Sequence, residues 1–148
     1  MTESSFMDQA LELARRAQAQ EEVPIGAVLV HQGQVIGKGH NQRETLQDPI
    51  SHAEIHALQD AAKRLGSWRL LDCELYVTLE PCPMCLAACQ QARISKVIYG
   101  AHDPKGGAIS LGYRLHEDVR TNHRFTVEFR ESQACSQILT AFFRAKRN

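Results

Sequence analysis

The chain has 148 residues, 43% of them apolar and 23% charged, with 17 basic and 17 acidic side chains in formal balance. That is enough apolar material for one domain with a packed core, and zero net charge gives no bulk attraction toward nucleic acid. Purely apolar runs such as Ala27-Val28-Leu29-Val30 are far too short to span a membrane, and Met1-Thr2-Glu3-Ser4-Ser5 lacks the basic and apolar regions of a secretory signal.

Five cysteines, an odd number, argue for a reducing compartment, so the expected location is cytoplasmic. The charge is unevenly spread. Residues 1–90 hold seven basic and twelve acidic side chains (−5), and residues 91–148 hold ten and five (+5). The end of the chain, Phe142-Phe143-Arg144-Ala145-Lys146-Arg147, mixes rings and cations, which suits either a stacking and phosphate surface or a solvated helix tail.

In chain order, Phe6, Ala10, Leu11, Leu13, Ala14 and Ala17 predict an amphipathic helix over 6–20, ended by Pro24. Ile25 to Val30 and Val35 to Gly39 read as strands joined by a His31-Gln32-Gly33-Gln34 turn. A polar loop from His40 to Ser51 leads to a helix that Asp48 or Ser51 can cap. Ile55, Leu58, Ala62 and Leu65 give that helix its apolar spacing, and Gly66 stops it. Leu75 to Leu79 is a third strand, residues 83–92 a helix with Pro83 in its first turn, and Lys96 to Gly100 a fourth strand. Asp103 to Gly107 is a turn, and residues 108–122 carry no clear period. Phe125 to Phe129 is a fifth strand by alternation, and 133–146 a last helix whose apolar side is Cys135, Ile138, Leu139, Phe142 and Phe143. Alternating strands and helices predict an α/β fold, a five-stranded mixed sheet, largely parallel, flanked by helices and opened by one antiparallel hairpin. No repeat or linker interrupts the expected single domain, 1–148.

Two short motifs carry the chemistry: His52-Ala53-Glu54 and Pro81-Cys82-Pro83-Met84-Cys85. Residues i and i+2 do not share a helix face, so His52 and Glu54 can approach one ion only beyond a helix end. Cys82 falls at or near the N-cap of the helix that Pro83 opens, and Cys85 three residues on can meet it, as paired side chains meet in a capping box. The positive end of a helix favours the thiolates a metal needs. Three protein ligands, His52, Cys82 and Cys85, leave zinc one open position, the mark of a catalytic site, and Glu54 is placed to handle protons. Taken singly, the His reads equally as a cap or core residue and the C-x-x-C as a redox pair. Cys73, Cys89 and Cys135 read as small buried apolar residues.

H-x-E followed by P-C-x-x-C is the signature of the zinc deaminases. Beyond it, Glu22-Val23-Pro24-Ile25-Gly26-Ala27-Val28, Gly39-His40-Asn41, Asp48 to Glu54, Leu75 to Cys82, Asp103-Pro104-Lys105-Gly106-Gly107, Asn122-His123-Arg124 and Phe142-Phe143-Arg144 make the whole chain resemble the bacterial tRNA-specific adenosine deaminases. The resemblance implies a cytidine-deaminase-like, three-layer α/β/α fold, a homodimer, and one Zn²⁺ per subunit on His52, Cys82 and Cys85. It implies hydrolysis of adenosine to inosine at the wobble position of a tRNA anticodon, by a zinc-bound hydroxide with Glu54 as proton shuttle. Asn41 would contact the extruded nucleoside, Asp103 and Lys105 would line the nucleic-acid groove, and Phe143 would pack near the substrate. Each also has a plainer reading: Asn41 as a turn residue, Asp103 and Lys105 as surface, Phe143 as core. The family's Gly-Ser pair after the paired glycines is replaced here by Ala108-Ile109-Ser110.

Two other functions fit the motifs. One is a zinc deaminase of a free nucleoside, nucleotide or base, such as cytidine, deoxycytidylate or guanine, which has no use for a basic aromatic tail. The other is a structural zinc domain closed by a fourth side chain such as Cys89.

Overall fold

The computed structural model describes residues 2–147. Its elements are α1 (Glu3–Ala19), β1 (Gly26–His31), β2 (Gln34–His40), α2 (Arg43–Leu46), α3 (Ala53–Leu65), β3 (Cys73–Val77), α4 (Pro83–Gln91), β4 (Lys96–Tyr99), a 3₁₀ turn (Leu115–Glu117), β5 (Thr126–Phe129) and α5 (Gln133–Arg147). The five strands form one sheet in the order β2-β1-β3-β4-β5. None of the described helices is long and apolar enough to cross a membrane.

The sheet is mixed and carries the expected β1–β2 hairpin, with one further antiparallel pairing beyond it. β1 pairs antiparallel with β2 on one side and with β3 on the other, while β3–β4 and β4–β5 are parallel. The connection through α3 carries the chain over β1, so the reversed strand ends up between two that run together. The carboxyl ends of β2, β3, β4 and β5 therefore share one edge of the sheet, the place where α/β sheets gather ligands.

Side chains alternate across the sheet to build two faces. Ala27, Leu29, Leu75, Val77, Val97 and Tyr99 pack with Ala57, Leu58, Leu86 and Cys89 of α3 and α4. Val28, Val30, Tyr76 and Ile98 pack with Phe6, Ala10 and Leu13 of α1. Cys135 and Leu139 dock α5 on Leu11 and Ala14 of α1, completing three layers, α/β/α. Burial on both faces explains why β1 reads as an unbroken apolar run.

Helix α3 buries Ala53, Glu54, Ala57, Leu58 and Ala61, whereas Leu65 is exposed. The buried face is thus set by alanines rather than by the Ile55–Leu65 stripe. The reason is close approach. A Cβ on Gly37 would overlap the Ala57 carbonyl oxygen, and one on Gly39 would overlap the Ala53 carbonyl and come within 2.7 Å of the Ala57 amide. Glycines on β2 facing alanines on α3 let the two backbones nearly touch.

Three boundaries are also displaced. α1 begins at Glu3, where Thr2 Oγ1 accepts from the Ser5 amide at 3.3 Å, and it ends at Ala19 with Glu21 at φ 62°, before Pro24 is reached. His52, not Asp48 or Ser51, occupies the N-cap position of the first metal-motif helix, and its side chain makes no cap bond. The loop 40–51 contains a helical turn, α2, whose Gln42 N-cap makes no side-chain cap bond. The cap comes from Glu22 instead, twenty residues upstream. Its carboxylate accepts from the amides of Glu44 (3.2 Å) and Thr45 (2.6 Å) and from the Thr45 hydroxyl (2.6 Å). Burial pushes the Glu22 carboxyl up, but these donors outweigh it and hold its pKa below the usual 4.5.

Two expectations follow. Gly39→Ala should lower the urea midpoint with an unchanged m-value, by about 1–3 kcal/mol or more, because helix backbone must move to admit one methyl. A carboxyl depressed in the fold stabilises above its unfolded pKa and loses that contribution as pH falls through the folded value. Stability of the native protein should therefore drop on acidification below about pH 4.5, and Glu22→Gln should flatten this part of the curve while costing about 1–3 kcal/mol at pH 7. Urea unfolding across pH 2–7 checks both signs.

Candidate active site

Two helix N-termini converge at the carboxyl edge of the sheet. His52 is the N-cap of α3 and Cys82 the N-cap of α4, each with extended backbone and neither with its side chain bonded to its own helix. Pro83 occupies the first turn of α4, as the sequence predicts. The free cap side chains turn toward each other. His52 Nδ1 lies 3.6 Å from Cys82 Sγ and 3.4 Å from Cys85 Sγ, and the three donor atoms all fall within 4.8 Å of one another.

These distances fit a zinc site. Zn–S bonds of about 2.3 Å and Zn–N bonds of about 2.0–2.1 Å at tetrahedral angles place N and S about 3.6 Å apart. His52, Cys82 and Cys85 can therefore hold a metal ion, and among the described residues the donor group comprises these three. Cys89 is fully buried beneath them, with its thiol pushed up by burial, and is not part of the group. Cys73 and Cys135 are buried too, and all five cysteines are free thiols. The Cys85 thiol and His52 hold Cys82 down to about 4, while the same contact with Cys82, together with burial, pushes Cys85 up. The positive end of α4 acts in the same direction on Cys82, favouring its thiolate.

Glu54, in the first turn of α3, is buried at 4% exposure. Burial raises its pKa to about 7, against opposing pulls from its own backbone amide, His52 and the Cys85 thiol. A carboxyl near neutrality is suited to act first as base and then as acid.

These residues floor a cleft of about 410 Å³, walled by Val23, Ile25, Leu79, Leu139 and Phe143. Asn41 and Asp103 line it as well, so the structure gathers His52, Glu54, Cys82, Asn41, Asp103 and Phe143 there; of the other sequence-predicted site residues, Cys85 is buried beside the cleft and Lys105 stands exposed on the adjoining turn. Asn41 is buried and fixed at both ends, Nδ2 donating to the Val23 carbonyl (3.2 Å) and Oδ1 accepting from the Arg43 amide (3.2 Å). Asp103 closes its own turn through the Gly106 amide (3.1 Å). Phe143, on α5, is 47% exposed and belongs to the cleft wall rather than to the core. Through Val23, Asn41, Arg43 and Phe143 the cleft adjoins a second one of about 690 Å³ that Phe142 and Lys146 also line. Asn122-His123-Arg124 lies elsewhere, with His123 Nε2 against the Ile94 carbonyl at 2.6 Å.

Sequence reasoning missed Glu80 and His102. The Glu80 side chain is fully buried. It accepts from the amides of Asp103 (3.0 Å) and Ser110 (2.7 Å) and from the Ser110 hydroxyl (2.6 Å), with His102 Nδ1 at 3.5 Å. Burial raises its pKa and these donors lower it, with a net depression. Glu80 thus ties the 103–110 loop to the strand exit two residues before Cys82. The departure at Ala108-Ile109-Ser110 is part of this tie, since Ser110 supplies two of its bonds. Its one sequence cue was a lone Glu ahead of Pro81-Cys82, with partners more than twenty residues away.

With this geometry in hand, comparison with known proteins is specific. The model of the MafB19-like deaminase family matches residues 1–147. A tRNA-specific adenosine deaminase of Bacillus subtilis is 46% identical over 143 residues, covering 96% of this chain and 89% of that protein. A solved structure from a study of A-to-I editing by tRNA:A34 deaminases superposes with a TM-score of 0.86 at 44% identity, covering 92% of this chain and 99% of that one. A guanine deaminase from Bacillus subtilis superposes at 0.68 with 32% identity, covering 100% and 96%. Matched along nearly its full length by both a deaminase family and a close relative, this chain belongs to the tRNA-specific adenosine deaminases.

Proposed function

We propose that this single 148-residue domain deaminates adenosine to inosine at the wobble position of a tRNA anticodon, with one zinc ion held by His52, Cys82 and Cys85. The observation that carries the reading is the meeting of three zinc-spaced donors, two of them lining one cleft, with a buried Glu54 on the same lining. The relative's activity on tRNA and the tRNA:A34 structure supply the substrate class.

When bound, zinc supplies Lewis-acid chemistry that brings water's pKa to about 7. Glu54 accepts one proton from the attacking water and delivers it to adenine N1, then takes the water's second proton from the new C6 hydroxyl and passes it to the departing amino group as the C6 carbonyl forms. Adenosine and water become inosine and ammonia, and Glu54 returns to its starting state. Asn41, held by Val23 and Arg43, presents a fixed amide to the nucleoside. Val23, Ile25, Leu79, Leu139 and Phe143 pack the base and exclude bulk water. An adenosine in a single-stranded anticodon loop is cheaper to extrude than one in a duplex. Asp103 and Lys105 on their turn, and Lys146 on α5, lie toward the RNA, which gives the basic half of the chain a role.

The same reading places the protein in the cytoplasm as a homodimer. Leu46, Ile50, Leu111 and Tyr113 are each at least half exposed, and a second copy would cover such side chains. The guanine deaminase neighbour supports a second reading, turnover of a free base.

Incubation with an anticodon stem-loop, and separately with guanine, decides between the two. Inosine at the wobble base is expected, and guanine turnover without stem-loop editing would favour the second reading. Glu54→Gln should keep one zinc per chain by metal analysis yet lose about 10²–10⁴ of the deamination rate. Cys82→Ser should lose the metal and the activity together.

A further inference from the structure

The rim of the cleft carries an aromatic surface that neither the metal nor Glu54 explains. His102 follows Ala101 at the exit of β4 and lines the cleft beside Asp103. Its ring stacks on Phe129 of the edge strand β5, with centroids 3.8 Å apart and planes at 30°. Tyr99 meets it edge-on at 5.6 Å and packs on Phe129 at 5.3 Å. Nδ1 is 3.5 Å from the buried Glu80 carboxylate, a contact that orients that edge of the ring inward. The side chain is nonetheless 52% exposed.

A ring backed by one aromatic, edged by a second and tethered at one nitrogen is an oriented platform, not a freely rotating surface histidine. Its loop is anchored by Glu80, two residues from the Cys82 ligand, so the platform stands at a fixed place relative to the reaction centre. Extruding one nucleotide from a loop strips the neighbouring base of its stacking partner, and an aromatic face at the rim restores it.

We propose that His102 is a substrate-contact residue that stacks a base flanking the target adenosine, with Phe129 as its support. This rests on the tRNA reading above. Stacking tolerates any aromatic ring, so the contact sets affinity more than sequence choice.

Steady-state kinetics on an anticodon stem-loop test it with wild type, His102→Ala and His102→Phe, each checked for zinc content and thermal midpoint. The expected result is a KM about ten-fold higher for His102→Ala with kcat within about two-fold, and recovery of KM in His102→Phe, the scale of one lost base–aromatic stack. An unchanged KM in His102→Ala overturns the proposal. So does a His102→Phe variant as weak as His102→Ala, because the imidazole would then act through its nitrogens. A parallel fall in kcat, zinc content and stability also overturns it, in favour of a scaffolding role through Glu80. Absence of editing by the wild-type protein would instead refute the tRNA reading itself.

Discussion

The structure depends on one constraint: the first residues of α3 and α4 must meet. His52 and Cys82 are N-caps whose side chains leave their own helices, so the donor atoms come together only if both helix starts reach the same point. Close contact of α3 on β2, enforced by Gly37 and Gly39 against Ala53, Ala57 and Ala61, fixes one helix. The β3 exit and Pro83 fix the other. Helix N-termini carry unsatisfied amides and partial positive charge, so the meeting point favours a thiolate at Cys82 where other positions in the core would not.

Two buried glutamates brace this arrangement from either side. Glu22 caps α2 and so holds the segment that delivers Asn41 and Arg43 to the cleft. Glu80 gathers the 103–110 loop and so holds Asp103 and His102 on the opposite wall. Each carboxylate replaces lost water with several backbone and hydroxyl donors, which is why each remains ionised although buried. The cleft wall is therefore organised by polar anchors, and its lining is apolar where a base would sit.

Much of this was legible in the sequence, because it is local. The spacing in His52-Ala53-Glu54 and Cys82-Pro83-Met84-Cys85, the proline in the first turn of α4 and the apolar run of β1 each report on their own neighbourhood. The His52 cap was less legible, since Ser51 and Asp48 are stronger cap formers; the metal geometry takes precedence over capping preference there. The double antiparallel pairing of β1 was hidden because strand order depends on which neighbour the chain returns to, and no period encodes that. Glu22, Glu80 and His102 were hidden for a related reason: their partners lie about twenty to thirty residues away, and a single Glu or His in a polar stretch looks like surface.

The central claim is that three side chains hold zinc and leave it one position for solvent. X-ray absorption spectroscopy of the zinc-loaded protein tests it most directly. The account predicts two sulfur scatterers at about 2.3 Å and two nitrogen or oxygen scatterers at about 2.0–2.1 Å. A third sulfur in that shell would place Cys89 on the metal, close the site, and contradict it.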